Sequence, residues 1–188
     1  MPRWVVLGLT LAIGGLFLGS EKAQSQPIDS WHYIDADSVL HTERVDGLHG
    51  AGVIQSDQIF AMLYLGLPEG NGVVSVVLPT LTAMPTLSST LIAPNGQRFV
   101  RVLEESELDV SQVSDTSYAY SFSITSVDVA LYKSARSWEL SQGESRWTVT
   151  LAGSRRAIEE AETEHRHQFK KMSETRPTTA AVQSRTGN

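Results

Sequence analysis

The chain has 188 residues, of which 41% are hydrophobic and 19% charged, and this composition suits one globular domain with appended segments. The formal charge of −6 argues against binding to nucleic acid and against adhesion to anionic lipid, since both require a basic surface. The absence of cysteine excludes disulfides, thiolate metal sites and cysteine nucleophiles. The fold must therefore be stable through its core alone.

Residues 1–25 have the layout of a secretory signal peptide. Arg3 precedes an uncharged run from Trp4 to Gly19, and Ala23 and Ser25 place small residues where signal peptidase reads them. The run is shorter than the roughly 20 residues of a comfortable membrane span. We expect a periplasmic or secreted protein, which contacts the membrane only through this segment if the segment is not cleaved.

Residues 26–50 form an N-terminal lead segment that is rich in histidine. Its three histidines are His32, His41 and His49. Imidazoles are common ligands of divalent metal ions, so a metal site built from these three residues is one hypothesis. No pair of them has the i, i+4 spacing of a helical metal site. The alternative is a solvated segment that Trp31 and Tyr33 anchor on the following domain, with the histidines facing water.

Residues 51–153 read as a succession of short strands. SYAYSFSIT (117–125), SVDVALY (126–132) and SRWTVTL (145–151) each alternate large apolar side chains with small or polar ones. This period of two gives each segment one buried face and one face that is more exposed to solvent, as in an antiparallel sheet. All three segments are therefore predicted to be strands.

Two more uniformly apolar runs, 59–67 and 73–78, are predicted to be central strands. The first could be a helix by periodicity alone, but the Pro- and Gly-rich turn between the two runs favours strands. Pro94-Asn95-Gly96 separates two further strands and predicts a hairpin, because these residues suit the dihedral angles of such turns. Seven or so strands imply an antiparallel β-sandwich, immunoglobulin-like or jelly-roll, with a closed barrel as the next choice.

Residues 154–172 are predicted to form a C-terminal α-helix, because this stretch has no Gly or Pro and few β-branched residues. Ser154 is its expected N-cap. The apolar stripe of the helix is thin, so we expect it to lie loosely on the domain or to bind a partner. The expected partner-binding residues are Ile158, Ala161, Phe169 and Met172. The tail at 173–188 is rich in Thr and Ser and is predicted to be disordered.

The segments TLIAPNGQRFV (90–100) and GESRWTVTL (143–151) resemble a pair of motifs in secreted β-sandwich modules. The P-domain of proprotein convertases and several immunoglobulin-like extracellular domains carry a Pro-x-Gly hairpin and, later, a closing strand of the form G-x-W-x-V-x-V. The matching residues are Pro94, Asn95, Gly96, Gly143 and Trp147. The resemblance covers about residues 70–152. It implies a sandwich fold and a role in binding or stabilisation at a cell surface, and it supplies no catalytic residues.

Other chemical sites have weaker support in the sequence. The acidic stretch LEESELD (103–109) suits either a calcium loop or a solubilising loop, and we favour the latter. His165 and His167 lie two residues apart on the predicted helix. They therefore do not share a face, and this spacing does not favour a metal site. No G-x-S-x-G motif, P-loop or G-x-G-x-x-G motif occurs, so we do not expect an enzyme or a cofactor.

These observations predict an exported envelope protein that acts as a binding or structural subunit, or accessory factor, of an envelope or extracellular assembly. The expected partners are proteins of the cell envelope, bound through the helix and the exposed sheet edges. The alternative is a metal- or ligand-dependent periplasmic protein, for example a hydrolase, that uses His32, His41 and His49 of the lead segment.

Overall fold

The structure, a computed structural model, describes residues 28–35, 49–55, 59–65, 71–83 and 85–175. The predicted signal peptide, His41 and the predicted tail beyond Thr175 lie outside these residues. The strands and helices of the described part are β1 Ile28–Asp35, β2 His49–Ile54, β3 Phe60–Leu65, β4 Gly72–Pro79, β5 Leu87–Ile92, β6 Arg98–Leu103, β7 Leu108–Ser114, β8 Ser117–Ile124, α1 Ser126–Ser134, β9 Ser137–Gln142, β10 Ser145–Thr150 and α2 Ser154–Thr175.

Two antiparallel sheets pack face to face, which confirms the predicted β-sandwich with a C-terminal helix. The larger sheet has the order β1-β2-β3-β4-β8-β7, and the smaller has the order β10-β9-β5-β6. The uniformly apolar β3 lies between β2 and β4 in the larger sheet, which confirms that this run is a strand rather than a helix. Its six side chains are all buried, so this strand contributes apolar residues to both faces of the sheet.

The predicted hairpin between β5 and β6 is confirmed. Gly96 has a φ of 84°, a value that glycine adopts without steric cost, and its amide donates to the Ala93 carbonyl over 2.9 Å. The two strands then pair without a break from Ile92 opposite Arg98 to Leu87 opposite Leu103. The hairpin therefore fixes the register of β6, the last strand of the smaller sheet.

The segment SVDVALY is a helix, so its prediction as a strand is wrong. Thr125 caps α1: its hydroxyl accepts from the Asp128 amide, and the Asp128 carboxylate accepts from the Thr125 amide over 2.8 Å. This reciprocal pair satisfies two amides at the start of the helix. The inward residues Val129 and Tyr132 are three apart, whereas Val127 is exposed. The true period is helical, although Val127, Val129 and Leu131 also match an alternating pattern.

One hydrophobic core fills the space between the two sheets and the helices. Its largest fully buried side chain is Trp138 of β9, which contacts the Tyr132 ring edge to face at 5.3 Å and donates its indole N–H to Ser89 Oγ over 2.8 Å. Burying Tyr132 in this core raises the pKa of its hydroxyl. Core packing thus ties α1 to the smaller sheet.

The outer face of the larger sheet carries a second apolar cluster. Its buried members are Phe60, Met62, Tyr64, Val77 and Ala119. Among the described residues, the cluster consists of side chains of this sheet alone. Gly50 and Gly52 leave room for it, since a Cβ at Gly52 would lie 2.6 Å from Cδ1 of Ile34. The larger sheet is therefore apolar on both faces.

The lead segment contributes β1, an edge strand of the larger sheet. Trp31 is 3% exposed and donates its indole N–H to the Thr150 carbonyl of β10 over 2.6 Å. The expectation that Trp31 anchors this segment is confirmed, but the expectation of a solvated segment is wrong for residues 28–35, which pair with β2 as a strand of the sheet. Gln55 forms two further bonds with the backbone of β10, donating to the Thr148 carbonyl and accepting from the Thr150 amide. Side chains thus close the sandwich where β1 and β2 approach β10.

Helix α2 packs against β1 and β2 and is part of the core, which corrects the expectation of a loosely attached helix. Ile158 and Ala161 are each 0% exposed. The Ser154 hydroxyl donates to the Tyr132 carbonyl over 2.9 Å, so it links α2 to α1 rather than capping α2. The stripe is thin, but small alanines let the helix approach the sheet closely enough to bury Ile158 and Ala161 fully.

Candidate functional site

The structure does not bring the predicted metal ligands His32 and His49 together. In the antiparallel pairing of β1 with β2, His32 lies opposite Gly52 and Asp35 lies opposite His49. Since side chains alternate along a strand, the two imidazoles project from opposite faces of the larger sheet. They cannot bind one ion across it. His41 lies outside the described residues, so its part in a metal site stays a prediction.

His32 and His49 lie in different surroundings. His32 is exposed and shares a 3.0 Å hydrogen bond with Ser30 Oγ. His49 is half-buried beneath α2, where Nδ1 lies 2.7 Å from the Tyr33 hydroxyl and Nε2 lies 2.8 Å from Oε1 of Gln168. An amide oxygen only accepts, so Nε2 of His49 donates, and in the neutral ring Nδ1 accepts from Tyr33. Both ring nitrogens are engaged in linking β1 to α2.

His165 of α2 is the second imidazole of this polar contact, and its ring centroid lies 6.3 Å from that of His49. Within the described part of the chain, no group of three or more histidine, cysteine, aspartate or glutamate side chains is arranged to hold a metal ion. The contact between His49 and His165 joins α2 to the edge of the larger sheet. The sequence did not indicate this pair, because the two histidines belong to segments that are far apart in the chain.

A small cavity of about 110 Å³ lies between the smaller sheet, β8 and α1. Its lining includes Phe99, Arg101, Phe122 and Asp128. Pockets that hold a substrate or cofactor measure roughly 300–1,000 Å³, so this one is too small for such a ligand. Arg101 donates to the Ser123 carbonyl over 3.1 Å, and its guanidinium carbon lies 5.8 Å from the centroid of the Phe122 ring. The cavity side chains join β6 to the larger sheet.

The acidic stretch after β6 is a loop that an arginine organises. Glu107 accepts from Arg101 over 2.9 Å and from the Glu104 amide over 3.3 Å. These hydrogen bonds, that from Arg101 first, hold the pKa of the Glu107 carboxyl below its usual value. The Glu107 carboxylate is thus paired with a cation of the chain itself, which favours a structural loop over a calcium site.

The expected partner-binding stripe on α2 is not available at two of its four positions. Ile158 and Ala161 are buried within the chain, against the sheet, so no partner can contact them in the folded protein. The side chains of Phe169 and Met172 lie outside the described residues. The prediction of a helix-borne contact surface is therefore corrected for Ile158 and Ala161 and stays a prediction for the other two residues.

The edge strand β6 carries the clearest exposed apolar surface of the described residues. Val100 and Val102 are 62% and 54% exposed, and both project from the outer face of the smaller sheet. Their neighbours on β5 are Thr90 and Ser88, so the valines form an apolar strip at the rim of a polar face. Beyond them the strand pairs with no other strand in the described part of the chain.

The other three sheet edges carry features that hinder pairing with a further strand. At β10, the side chains of Gln55 and Trp31 bind backbone groups that a partner strand would need. At β1 and β7 the register is irregular, between Ile28 and His32 and between Gln112 and Ser114. Such irregularities are known to protect edge strands. Strand β6 is regular over its whole length, which makes it the edge best suited to accept a partner.

Comparisons with known proteins give no match: no family model, no curated protein and no solved structure matches this chain. The resemblance to P-domains and immunoglobulin-like domains thus rests on the motif residues and stays a prediction. Within the described residues, neither helix has the length and hydropathy that a membrane span requires.

Proposed function

We propose that the protein is exported and acts as a binding or structural subunit, or accessory factor, of an envelope or extracellular assembly. The observation that carries this proposal is the edge of β6, with its exposed Val100 and Val102. An unpaired, regular strand with apolar side chains offers backbone donors and acceptors in a row, and extended segments of other chains add to such edges.

The contrast between β6 and the other sheet edges supports a binding role for β6. An open apolar edge makes a sheet prone to association, and charged residues, bulges or covering side chains usually protect it. In this chain bulges or covering side chains occur at β1, β7 and β10. Strand β6 has neither. It carries Arg98 and Arg101, but each of them pairs with a glutamate of its own chain, and the strand exposes two valines between its ends. An edge left open beside three protected ones indicates a surface used for assembly.

The metal-dependent alternative has no comparable support. Its described residues His32 and His49 face opposite sides of the larger sheet, and both nitrogens of His49 are already hydrogen-bonded. The cavity beside Arg101 is too small for a substrate. A binding or structural role therefore remains the better account.

Site-specific photo-cross-linking in the native envelope tests the proposal. A photoreactive amino acid at position 102 lies on the β6 edge, and the same probe at Thr148 lies exposed on the protected edge β10. We expect one adduct of defined mass from position 102 and none from position 148. The adduct should disappear in a chain that also carries Val100→Lys, because a charge beside the strand hinders pairing.

The same preparation tests export. Mass spectrometry of the protein from the envelope fraction should show a chain that begins at Gln26. Recovery of the protein only from the cytosol would contradict the export part, and the absence of any adduct from position 102 in the folded protein would contradict the binding part.

A further inference from the structure

We propose that the partner of the β6 edge is a second copy of this chain, with the two β6 strands antiparallel and Arg101 of each copy opposite Arg101 of the other. This inference rests on the proposed role of the β6 edge and names its occupant. The two smaller sheets would then form one continuous sheet of eight strands across a two-fold axis, the commonest symmetry of protein dimers.

The sequence of β6 is complementary to itself in this register. Directly opposite pairs would be Val100 with Val102 of the other copy and, one step further out, Arg98 with Glu104. The outer face would thus join four valines at its centre and an ion pair at each end. Apolar and opposite-charge pairs across antiparallel strands each contribute about 0.2–1 kcal/mol. Arg98, Val100, Val102 and Glu104 are all exposed, and the Arg98 side chain, which also pairs with Glu139 of its own chain, lies on the face where these contacts would form.

Neighbouring registers are less favourable. With the axis at Val100, Arg98 would face Val102, and with the axis at Val102, Glu104 would face Val100. Both arrangements pair a charge with an apolar side chain. In the proposed register the two Arg101 side chains face each other on the inner face, but each already pairs with Glu107 of its own chain over 2.9 Å. Their repulsion is therefore reduced.

The size of the contact predicts a weak dimer. One pair of six-residue strands buries less than the roughly 1,200–2,000 Å² of a standard stable interface. We expect dissociation constants in the micromolar range or above, and a population of dimers that rises with concentration or within an assembly. In this arrangement β10, the other edge strand of each smaller sheet, lies at an outer end of the eight-stranded sheet.

Charge substitutions at Arg98, the first residue of β6, and at Glu104, which directly follows its last residue, test the register. The Arg98→Glu chain has two acids at these positions and the Glu104→Arg chain has two bases, so each variant alone should dimerise about tenfold more weakly than the wild type. An equimolar mixture should recover the affinity of the wild type, since every end pair is then an acid opposite a base. Sedimentation velocity over a concentration series, with the protein purified as it is exported, measures all four samples.

Arg98 also pairs with Glu139 of its own chain over 2.7 Å, so Glu139→Ala is the matched control. It removes the same intrachain ion pair without changing positions 98 or 104, and it should leave self-association unchanged. Thermal unfolding followed by circular dichroism confirms that each variant is folded.

Recovery in the mixture, with unchanged behaviour of the control, supports the two-fold pairing. A wild-type protein that stays monomeric at every concentration, or a mixture no tighter than its components, overturns it. In that case an adduct from position 102 with a different protein still supports the proposed function, whereas no adduct removes both.

Discussion

At the scale of single residues, glycines set how closely the strands of the larger sheet approach. Gly72 at the start of β4 is buried, and a Cβ there would overlap the Tyr64 carbonyl of β3. The contact is with backbone, which cannot move aside without breaking the pairing of the two strands. A side chain at this position thus strains the pairing of β4 with β3.

We expect Gly72→Ala to lower the free energy of unfolding by about 1–3 kcal/mol, because the added methyl group must displace the neighbouring strand. Chemical denaturation monitored by tryptophan fluorescence measures the change. The matched control is Glu144→Ala in an exposed turn, where we expect a change of no more than about 0.5 kcal/mol. If Gly72→Ala had the same free energy of unfolding as Glu144→Ala, the neighbouring strand would accommodate the methyl group without loss of stability, which would contradict this expectation.

The bond from Arg101 to Glu107 makes a prediction about pH. The pKa of Glu107 is lowered from 4.5, so its stabilising contribution is present above pH 4.5 and is lost as the pH falls through the lower pKa of the folded state. In Arg101→Gln the pKa of the Glu107 carboxyl should rise towards 4.5, because the guanidinium that stabilises the ionised form is gone. Carboxyl NMR titration measures it, and Arg146→Gln on the other edge should leave it unchanged. A Glu107 pKa that does not respond to Arg101→Gln would contradict the pairing.

Sequence reasoning about single residues succeeded where the cause is local. Gly96 and Trp31 behave as predicted, because a turn dihedral and a large apolar ring constrain their own surroundings. The histidines did not converge, because the faces they occupy depend on which residues of β1 and β2 lie opposite each other. A register shift of one residue would have placed them on the same face, and no local pattern determines it.

At the scale of elements, α1 shows how a short amphipathic segment can match two periods at once. Alternate apolar residues in SVDVALY fit a strand, but Thr125 and Asp128 are spaced as a helix cap. That spacing was readable in the sequence and is the signal that was missed. Strand β9 was also missed, although its buried Trp138, Leu140 and Gln142 alternate. In β2, two glycines conceal the strand, since they lower strand propensity.

Helix α2 is expected to be essential for folding. We expect Ile158→Ala to lower the free energy of unfolding by about 2–4 kcal/mol, because the side chain is fully buried against the sheet. Glu160→Ala on the exposed face of the same helix should change it by no more than about 0.5 kcal/mol. Equilibrium denaturation of the two variants measures both values. If Ile158→Ala changed the free energy of unfolding as little as Glu160→Ala does, the helix would not be essential for folding.

For the same reason, a chain that stops at Gly153 is a poor probe of partner binding through the helix. Such a chain would lack Ala157, Ile158 and Ala161, all of which belong to the core. Loss of a partner on truncation would then report loss of folding. Substitutions on the exposed surface, such as those on β6, separate binding from stability.

At the scale of the whole molecule, the fold class could be predicted from the sequence and the strand order could not. Alternation in the segment of β8 and the turn at Gly96 are local and indicate antiparallel strands. The division into sheets of six and four strands depends on pairings such as β4 with β8, which join distant segments. Exposure of the β6 edge follows from that order, so the sequence alone could not identify Val100 and Val102 as a contact surface.

Amide hydrogen exchange of β6 tests most directly the claim that this edge is used in assembly. Segment 98–103 would be compared in the isolated protein at low concentration and in the native envelope, with the central strand β9 as internal reference. The account predicts that the β6 amides that do not bond to β5 exchange fast in isolation and become protected in the envelope, while β9 is protected in both. Equal exchange of β6 in the two samples would contradict it.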